Sequence, residues 1–443
     1  MGPRRTLIAL YAILGTTTGS AQESSLENAN GSRLEAYEQK HSPEAESFYR
    51  NAVRQAAERG SPDSHYVTAL NNLGALLVEA AKYPEAERLL KQALAIQENI
   101  IGRQDPNLAA LLNNLAAVQR EQGKLSEAES LLQRSLAIRE KVSGLETPEV
   151  ADALNNLAAI YTLQGKYQQA QSLYGQALAI GERAFGPDHS NVARILSNLA
   201  TLEVRQGKFP EAEILFERAL AIWEKNFGPD HPRVAIVLNN MGELQQDQGK
   251  YVEAESLYER ALAIWLKTFG PDDPHVAIVL SNIGALQHLL HKDTDAEVLY
   301  KRSLSIWNKS GGAQSLDFAQ TLQNLGVMYF EHKRYDEAAA LFESAVAIKE
   351  NSLGPEHPVV GRILSDVAAN DLARGYYAEA ASPCQRALSI LEKTSPLDYP
   401  ALVDALDNYA WLLRKTNRKA AAELLETRAM VYRAKLRQNK KKN

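Results

Sequence analysis

The sequence predicts an all-α protein built from about nine similar helix hairpins that follow one another along the chain. Three observations lead to this fold class. Residue types recur every 42 positions, each period contains two apolar stripes with helical spacing, and glycine or proline separates the stripes. Because one short hairpin cannot bury its apolar surface alone, neighbouring hairpins must stack into a continuous array.

The 42-residue period holds over nine successive units. Alanine occurs at the same place in every unit, at positions 86, 128, 170, 212, 254, 296, 338, 380 and 422. Asparagine recurs in its own register at 72, 114, 156, 198, 240, 282 and 324, and Asp366 and Asn408 complete that series. We therefore place nine 42-residue units at 65–432 and expect each of them to adopt the same structure.

The first helix of a unit is clearest in the third unit. Its apolar residues Val150, Leu154, Leu157, Ala158 and Tyr161 follow the spacing of one helical face. A glycine at position 165 then predicts the end of this helix, since glycine readily adopts the left-handed conformation of a C-terminal cap. The same glycine recurs at 123, 207, 249 and 375, and an asparagine takes its place at 417.

The second helix of the same unit carries its own apolar stripe, formed by Ala170, Leu173, Tyr174, Ala177 and Ile180. Its alanines are small, so we expect the two helices of a hairpin to approach closely there, while larger side chains fill the remaining space.

The junction between units also repeats. In Phe227-Gly228-Pro229-Asp230-His231-Pro232, the glycine closes the outgoing helix and the Asp-x-Pro step begins the next one. The sixth unit departs from these patterns, because His291-Lys292-Asp293 replaces Gly-Lys-Tyr and Gly311-Gly312-Ala313 replaces the junction. Unit eight also departs from the pattern, and we expect local irregularity in units six and eight.

Both ends of the chain lie outside the repeats. Residues 1–21 resemble an export signal, with two arginines, a short apolar run and small residues before Gln22. Cleavage would change the net charge from −5 to −7 and deliver the protein to the periplasm or the medium; the alternative is an uncleaved, cytoplasmic chain. We expect a polar linker at 22–35, an N-terminal capping helix region at 36–60 and a basic tail at 433–443.

The composition excludes several classes of protein. The acidic balance argues against a nucleic-acid partner, and the one cysteine, Cys384, cannot form an internal disulfide. No apolar run reaches the roughly 20 residues of a membrane-spanning helix. No catalytic or cofactor-binding motif is present, and acid pairs such as Glu253 and Glu255 are interpreted as solvated helix surface. We therefore predict no enzyme, no cofactor and no metal site.

The repeats resemble the tetratricopeptide repeat (TPR) in its 42-residue, kinesin-light-chain-like form. Leu-Asn-Asn-Leu-(Gly/Ala), Gly-Lys-Tyr-x-Glu-Ala-Glu and Gly-Pro-Asp-His-Pro carry the resemblance, which extends over most of the chain. The resemblance implies a right-handed α-α superhelix whose first helices line a concave groove, and a protein or peptide partner. The leading hypothesis is thus a scaffold that binds an extended peptide. The alternative is a regulatory or recruiting subunit of a separately encoded enzyme.

Candidate groove residues come from the face of the first helix that points away from the hairpin core. The first residue of each asparagine pair would form a ladder along the groove, comprising Asn71, Asn113, Asn155, Ser197, Asn239, Ser281 and Gln323. Carboxamides could serve the main chain of an extended peptide; alternatively, these residues bond to neighbouring repeats. For the second asparagine of each pair, uniformity between units favours a structural bond between adjacent hairpins.

Charged residues of the same face differ from unit to unit, as partner specificity would require. Arg120, Arg194 and Arg205 could hold carboxylates of a partner, or could pair with acidic residues of the same face. Three tryptophans at 223, 265 and 307 also repeat every 42 residues, and we interpret them as wedges that pack against the next hairpin. The histidines at 189, 231 and 357 occupy equivalent turns and do not form a ligand cluster.

Overall fold

A computed structural model describes most of the chain, and every regular element in the described part is an α-helix. The described residues are 43–58, 64–79, 82–100, 106–122, 124–393 and 398–442. The predicted signal peptide at 1–21, the linker at 22–35 and the beginning of the capping region at 36–60 lie outside them.

Nineteen helices occur in the described residues, and they form one single helix followed by nine hairpins. They are α1 Pro43–Glu58, α2 Ser64–Glu79, α3 Tyr83–Ile100, α4 Pro106–Glu121, α5 Leu125–Ser143, α6 Pro148–Leu163, α7 Tyr167–Phe185, α8 Ser190–Arg205, α9 Phe209–Phe227, α10 Pro232–Asp247, α11 Tyr251–Phe269, α12 Pro274–Leu289, α13 Asp293–Lys309, α14 Leu316–Glu331, α15 Tyr335–Leu353, α16 Pro358–Arg374, α17 Tyr377–Glu392, α18 Tyr399–Lys415 and α19 Lys419–Lys442. Each even-numbered helix and the odd-numbered helix after it form one hairpin, and we number the hairpins repeats one to nine. The expected all-α TPR solenoid is confirmed.

The chain divides between Asp273 and Pro274 into two compact units. Unit one contains α1 and repeats one to five, and unit two contains repeats six to nine. In unit one, α1 is joined to the first hairpin by ion pairs from Arg50 to Glu85 and from Lys82 to Glu46, both 2.7 Å long.

Small residues bring the two helices of each hairpin close together, as the sequence predicted. Ala170 and Ala177 of α7 have no solvent exposure, and Tyr174 is buried beside them. In repeat five the approach is closer still, because a Cβ atom on Gly242 of α10 would lie 2.6 Å from the ring of Tyr258 in α11. The hairpin interior is therefore closely packed around one aromatic ring in these repeats.

The turn inside each hairpin requires a left-handed residue. Gly165 and Gly375 have φ angles of 73° and 81°, and Asn417 replaces glycine with a φ of 58°, as expected. His291 of repeat six and Lys333 of repeat seven take the place of this glycine with φ angles of 59° and 62°, so the turn keeps its regular conformation there. Side chains other than glycine are strained in this left-handed region. The irregularity predicted for repeat six lies at its exit, where Ser310 follows α13 in a right-handed conformation.

Turn histidines cap the first helices. The Nδ1 atom of His231 accepts a hydrogen bond from the backbone N–H of Arg233 at 3.2 Å, and His357 accepts one from Val359 at the same distance. An N-cap side chain of this kind satisfies a backbone donor that the helix leaves unpaired. The turn position predicted for these histidines is thus accompanied by a specific structural role.

Ion pairs join successive repeats of unit one at regular places. Lys166, in the turn of repeat three, contacts Glu129 of repeat two at 2.8 Å, and Arg218 of repeat four contacts Glu182 of repeat three at 2.6 Å. Glu213, which is equivalent to Glu129, accepts a hydrogen bond from Gln245 of the following repeat at 2.7 Å. The interpretation of such acids as solvated surface is wrong for Glu129 and Glu213, because both help to connect adjacent hairpins.

Candidate peptide-binding face on the first helices

The first helices lie on the inside of each hairpin stack, and the second helices lie on the outside. In unit one, twelve of the 16 residues of α6 are buried, whereas only five of the 19 residues of α7 are. Fourteen of the 16 residues of α10 are also buried. The face predicted to line a groove is therefore enclosed along much of its length in unit one.

The predicted asparagine ladder lies deep in this face. Asn155 has no solvent exposure, and Asn113 and Asn239 are exposed by 3% and 1%. Ser197 and Ser281 are likewise buried, while Asn71 is partly exposed.

Hydrogen bonds between repeats occupy several ladder positions. The Nδ2 atom of Asn114 donates to Oδ1 of Asn71 at 2.9 Å, and that of Asn198 donates to Oδ1 of Asn155 at 3.0 Å. The structural bond predicted for the second asparagine of each pair is thus confirmed for these two residues. In unit two, Asn408 makes the equivalent bond to the hydroxyl of Ser365 at 2.9 Å.

Other ladder residues have local partners. The hydroxyl of Ser197 donates to the carbonyl of Ala193, and Nδ2 of Asn239 donates to Oε1 of Glu243 at 3.0 Å. In unit two, Ser281 accepts a hydrogen bond from the hydroxyl of Thr321 in the next repeat.

The three predicted arginines lie on the first helices of repeats two and four. The buried side chain of Arg194 forms an ion pair with Asp152 of the preceding repeat, and Arg120 forms one with its neighbour Glu121. Arg205 is partly buried at the end of α8.

Electrostatics show that these guanidinium groups share one neighbourhood. Burial raises the pKa of Tyr174 far above its ordinary value, and the positive charges of Arg120, Arg194 and Arg205 each lower that pKa in part. Three cations from repeats two and four therefore act on one phenol of repeat three, which is an arrangement that suits a carboxylate.

The sign of the charge reverses two repeats further along unit one. Burial raises the pKa of Tyr258 well above its ordinary value, and the negative charges of Glu243 and Asp247 raise it further. Both acids belong to α10. Negative charges therefore act on Tyr258 of repeat five, whereas positive charges act on Tyr174 of repeat three.

A buried lysine in unit two was not predicted. Residues 223, 265 and 307 are the tryptophans interpreted as wedges, and all three are buried. Lys349 occupies the same register in repeat seven with 1% exposure, and its Nζ donates to Oε1 of Gln320 at 3.1 Å and to Oε1 of Gln323 at 2.5 Å. Burial lowers the pKa of this lysine to about 7. The signal that could have revealed Lys349 is a charged residue at a position where three other repeats have tryptophan.

The described residues contain neither a metal site nor a membrane-spanning helix. No group of three or more histidine, cysteine, aspartate or glutamate side chains there could hold a metal ion, and no described helix is long and apolar enough to span a bilayer. Cys384 packs in a hydrophobic cluster of unit two, where burial raises its pKa to about 12. Such a thiol is buried packing with little reactivity.

Comparison with known structures supports the repeat architecture. A Rap protein solved in complex with Competence and Sporulation Factor is 16% identical, with a TM-score of 0.58 over 85% of this chain and 99% of that chain. Aspartyl phosphate phosphatase F from Bacillus subtilis is 15% identical, with a TM-score of 0.50 over 84% and 95%. A putative kinesin light chain from Podosopora anserina with nearly identical TPR-like repeats is 28% identical, with a TM-score of 0.37 over 46% and 96%. No curated protein matches the sequence significantly.

The family itself is identified from the sequence. The tetratricopeptide repeat profile matches seven overlapping segments, at 35–99, 66–141, 149–225, 192–267, 233–309, 277–351 and 317–393. Together these segments cover well over half of the chain. The protein therefore belongs to the tetratricopeptide repeat family.

Proposed function

We propose that this protein-interaction scaffold binds an extended, acidic peptide or protein segment along the first helices of unit one. The observation that carries the proposal is that Arg120, Arg194 and Arg205, from the first helices of repeats two and four, all act electrostatically on Tyr174 of repeat three. Scaffold positions repeat faithfully from unit to unit, whereas these charges do not. A feature that departs from an otherwise uniform array is more readily explained by a partner than by the fold.

The residues of this face differ in how accessible they are to a partner. Arg120 and Arg205 are only partly buried, so they are the cations that a partner reaches first. Asn113, Asn155 and Asn239 lie deeper, and Asn155 already accepts a bond from Asn198. A peptide main chain would gain contact with this ladder only where such bonds between repeats open.

The fold is compatible with such a role. The Rap protein of similar fold was solved with a bound factor. The proposed role is binding without catalysis, because TPR proteins generally act as non-catalytic scaffolds. The described residues also contain no cluster of metal-ligating side chains.

Export forms the second part of the proposal. It is supported by Arg4 and Arg5, the apolar run after them and the small residues before Gln22. N-terminal sequencing of the protein from its native host tests this directly. A chain that begins at Gln22 is expected, and a chain that begins at Met1 would contradict export.

Partner binding is tested by charge reversal. The wild-type protein and the Arg120→Glu/Arg205→Glu variant would be used to capture partners from the native extracytoplasmic fraction, with identification by crosslinking and mass spectrometry. Arg183→Glu is the matched control, because Arg183 is an exposed arginine on the outer helix α7. We expect at least a tenfold loss of affinity for the captured partner in the double variant and none in the control.

The two results that would contradict the proposal are equal affinities for all three proteins and a partner that binds the second helices. A captured enzyme whose activity changes on binding would support the alternative role, a regulatory subunit of a separately encoded enzyme complex.

A further inference from the structure

Four titratable side chains meet where repeats six and seven of unit two join. The Nδ1 atom of His288, near the end of α12, lies 2.6 Å from Oδ1 of Asp293, the first residue of α13. Its Nε2 atom lies 3.3 Å from Oε2 of Glu331 at the end of α14. On the other side of Asp293, Oδ2 lies 3.1 Å from Nε2 of His332. We call these four residues the histidine cluster.

Both ring nitrogens of each histidine in this cluster face oxygen acceptors. For His288 the acceptors are two carboxylates, and for His332 they are Asp293 and the carbonyl of Met328, which lies 2.8 Å from Nδ1. A neutral imidazole has one donor and one acceptor, so it can satisfy only one of its two oxygen neighbours. An imidazolium ion donates to both. The hydrogen bonds of His288 are therefore complete only when its ring is protonated.

The surrounding charges favour protonation of His288. A hydrogen bond to Glu331 raises its pKa most, Asp293 raises it further, and burial opposes both. Glu297, also on α13, is committed to Lys301, Tyr329 and Arg334. The pKa of Tyr300, buried in α13, is raised by burial and by the charge of Asp293. Two carboxylates thus face the histidine from two different helices.

The cluster connects different repeats and replaces a regular feature of the array. His288 and Asp293 belong to repeat six, whereas Glu331 and His332 belong to repeat seven. The residues equivalent to His288 in other repeats include Arg120, Thr162 and Gln246, so no other repeat offers a histidine at this place. A hydrogen bond outside the cluster also joins these repeats, because the hydroxyl of Tyr329 donates to Oε1 of Glu297 at 2.7 Å.

We infer that the histidine cluster is a proton-operated clamp between repeats six and seven. When His288 is protonated, the ends of α12 and α14 are held together through its contact with Glu331. When His288 loses a proton, one of its two carboxylate contacts loses its donor and the ends of the two helices separate more readily. The clamp concerns unit two and does not depend on the proposed peptide binding in unit one.

Nuclear magnetic resonance of the histidine side chains tests the protonation state in the full-length protein. We expect His288, assigned with the His288→Gln variant, to titrate with a midpoint above 6.5 and to carry protons on both ring nitrogens below it. Glu331→Gln should lower this midpoint. Asp295→Asn, which removes an exposed charge from α13, the helix that carries Asp293, should leave the midpoint of His288 unchanged.

Hydrogen exchange, corrected for intrinsic rates, tests the mechanical consequence. Between pH 6 and pH 8, we expect amide protection at the ends of α12 and α14 to fall about tenfold in the wild type, as for the loss of one hydrogen bond to a charged group. The fall should be much smaller in Glu331→Gln and unchanged in Asp295→Asn. A wild-type midpoint at or below 6.5, or an equal loss of protection in Glu331→Gln, would overturn the clamp.

Discussion

The side-chain amide of Asn198 in repeat four donates a hydrogen bond to Oδ1, the side-chain oxygen of Asn155 in repeat three, and both side chains are buried. The donor is the second asparagine of its pair, and the acceptor is the first asparagine of the preceding pair. Asn114 and Asn71 repeat the relationship between repeats two and one. In both cases the second asparagine of one pair bonds to the first asparagine of the preceding pair, so the bond joins two successive hairpins.

Replacement of Asn198 by alanine should destabilise unit one. The substitution leaves the buried Oδ1 atom of Asn155 without this donor, and an unsatisfied buried polar group costs about 1–3 kcal/mol. Urea unfolding monitored by circular dichroism, with hydrogen exchange on α6 and α8, would measure the loss.

The Asn155→Ala/Asn198→Ala double variant is the control for this prediction. It removes both partners, so its free energy of unfolding should fall by less than the sum of the two single losses. Strictly additive losses would show that the two side chains do not stabilise each other.

The helical hairpins and their order could be predicted from the sequence, but the accessibility of the candidate face could not. The 42-residue register and the apolar stripes determine which residues of one hairpin meet, as for Ala170 and Tyr174. The burial of Asn155 depends instead on how closely successive first helices approach, and that distance is not encoded in any single repeat. Lys349 and His288 were missed for a related reason, since their partners come from other helices and do not follow the repeat pattern.

Lys333→Gly should stabilise unit two. Lys333 has a φ of 62°, a conformation that costs a residue with a Cβ atom roughly 1 kcal/mol and that glycine adopts freely. We expect a higher denaturation midpoint, by about 1 kcal/mol in free energy of unfolding, measured by urea titration.

Gly375→Ala is the reciprocal test at the equivalent turn of repeat eight. Gly375 has a φ of 81°, and an added Cβ would meet no atom within 4 Å, so only the backbone conformation is strained. A loss of about 1 kcal/mol is expected. If neither variant shifts the midpoint, the left-handed turn is not a source of strain in this array.

Acid should weaken the helix cap at His357. Burial, assisted by the charge of Arg362, lowers the pKa of His357 to about 4, from 6.5. Between these values the unfolded chain binds more protons than the folded one, so the stabilisation is present above pH 6.5 and is lost as the pH falls to about 4. The loss amounts to about 3 kcal/mol at most.

His357→Asn separates this effect from the titration of carboxylates in the same range. Asparagine also caps helices but does not titrate. Urea unfolding at pH 7 and pH 4.5 should therefore show a smaller loss of stability in the variant than in the wild type. An identical loss in both proteins would exclude His357 as a source of acid sensitivity.

Lys349 should give unit two a pH dependence of the same sign at alkaline pH. Burial lowers the pKa of its amine from 10.5 to about 7, so between these values the unfolded chain binds the proton that the folded chain has released. The free energy of unfolding should therefore rise with pH in this window, by up to about 1.4 kcal/mol per pH unit. Urea unfolding at pH 7.5 and pH 9 should show this rise in the wild type and lose it in Lys349→Met. Lys393→Met removes an exposed lysine of the next repeat that pairs with Glu356, and should keep the rise. An equal pH dependence in all three proteins would mean that Lys349 keeps its proton in the folded state throughout this range, with Gln320 and Gln323 solvating a buried cation in place of water.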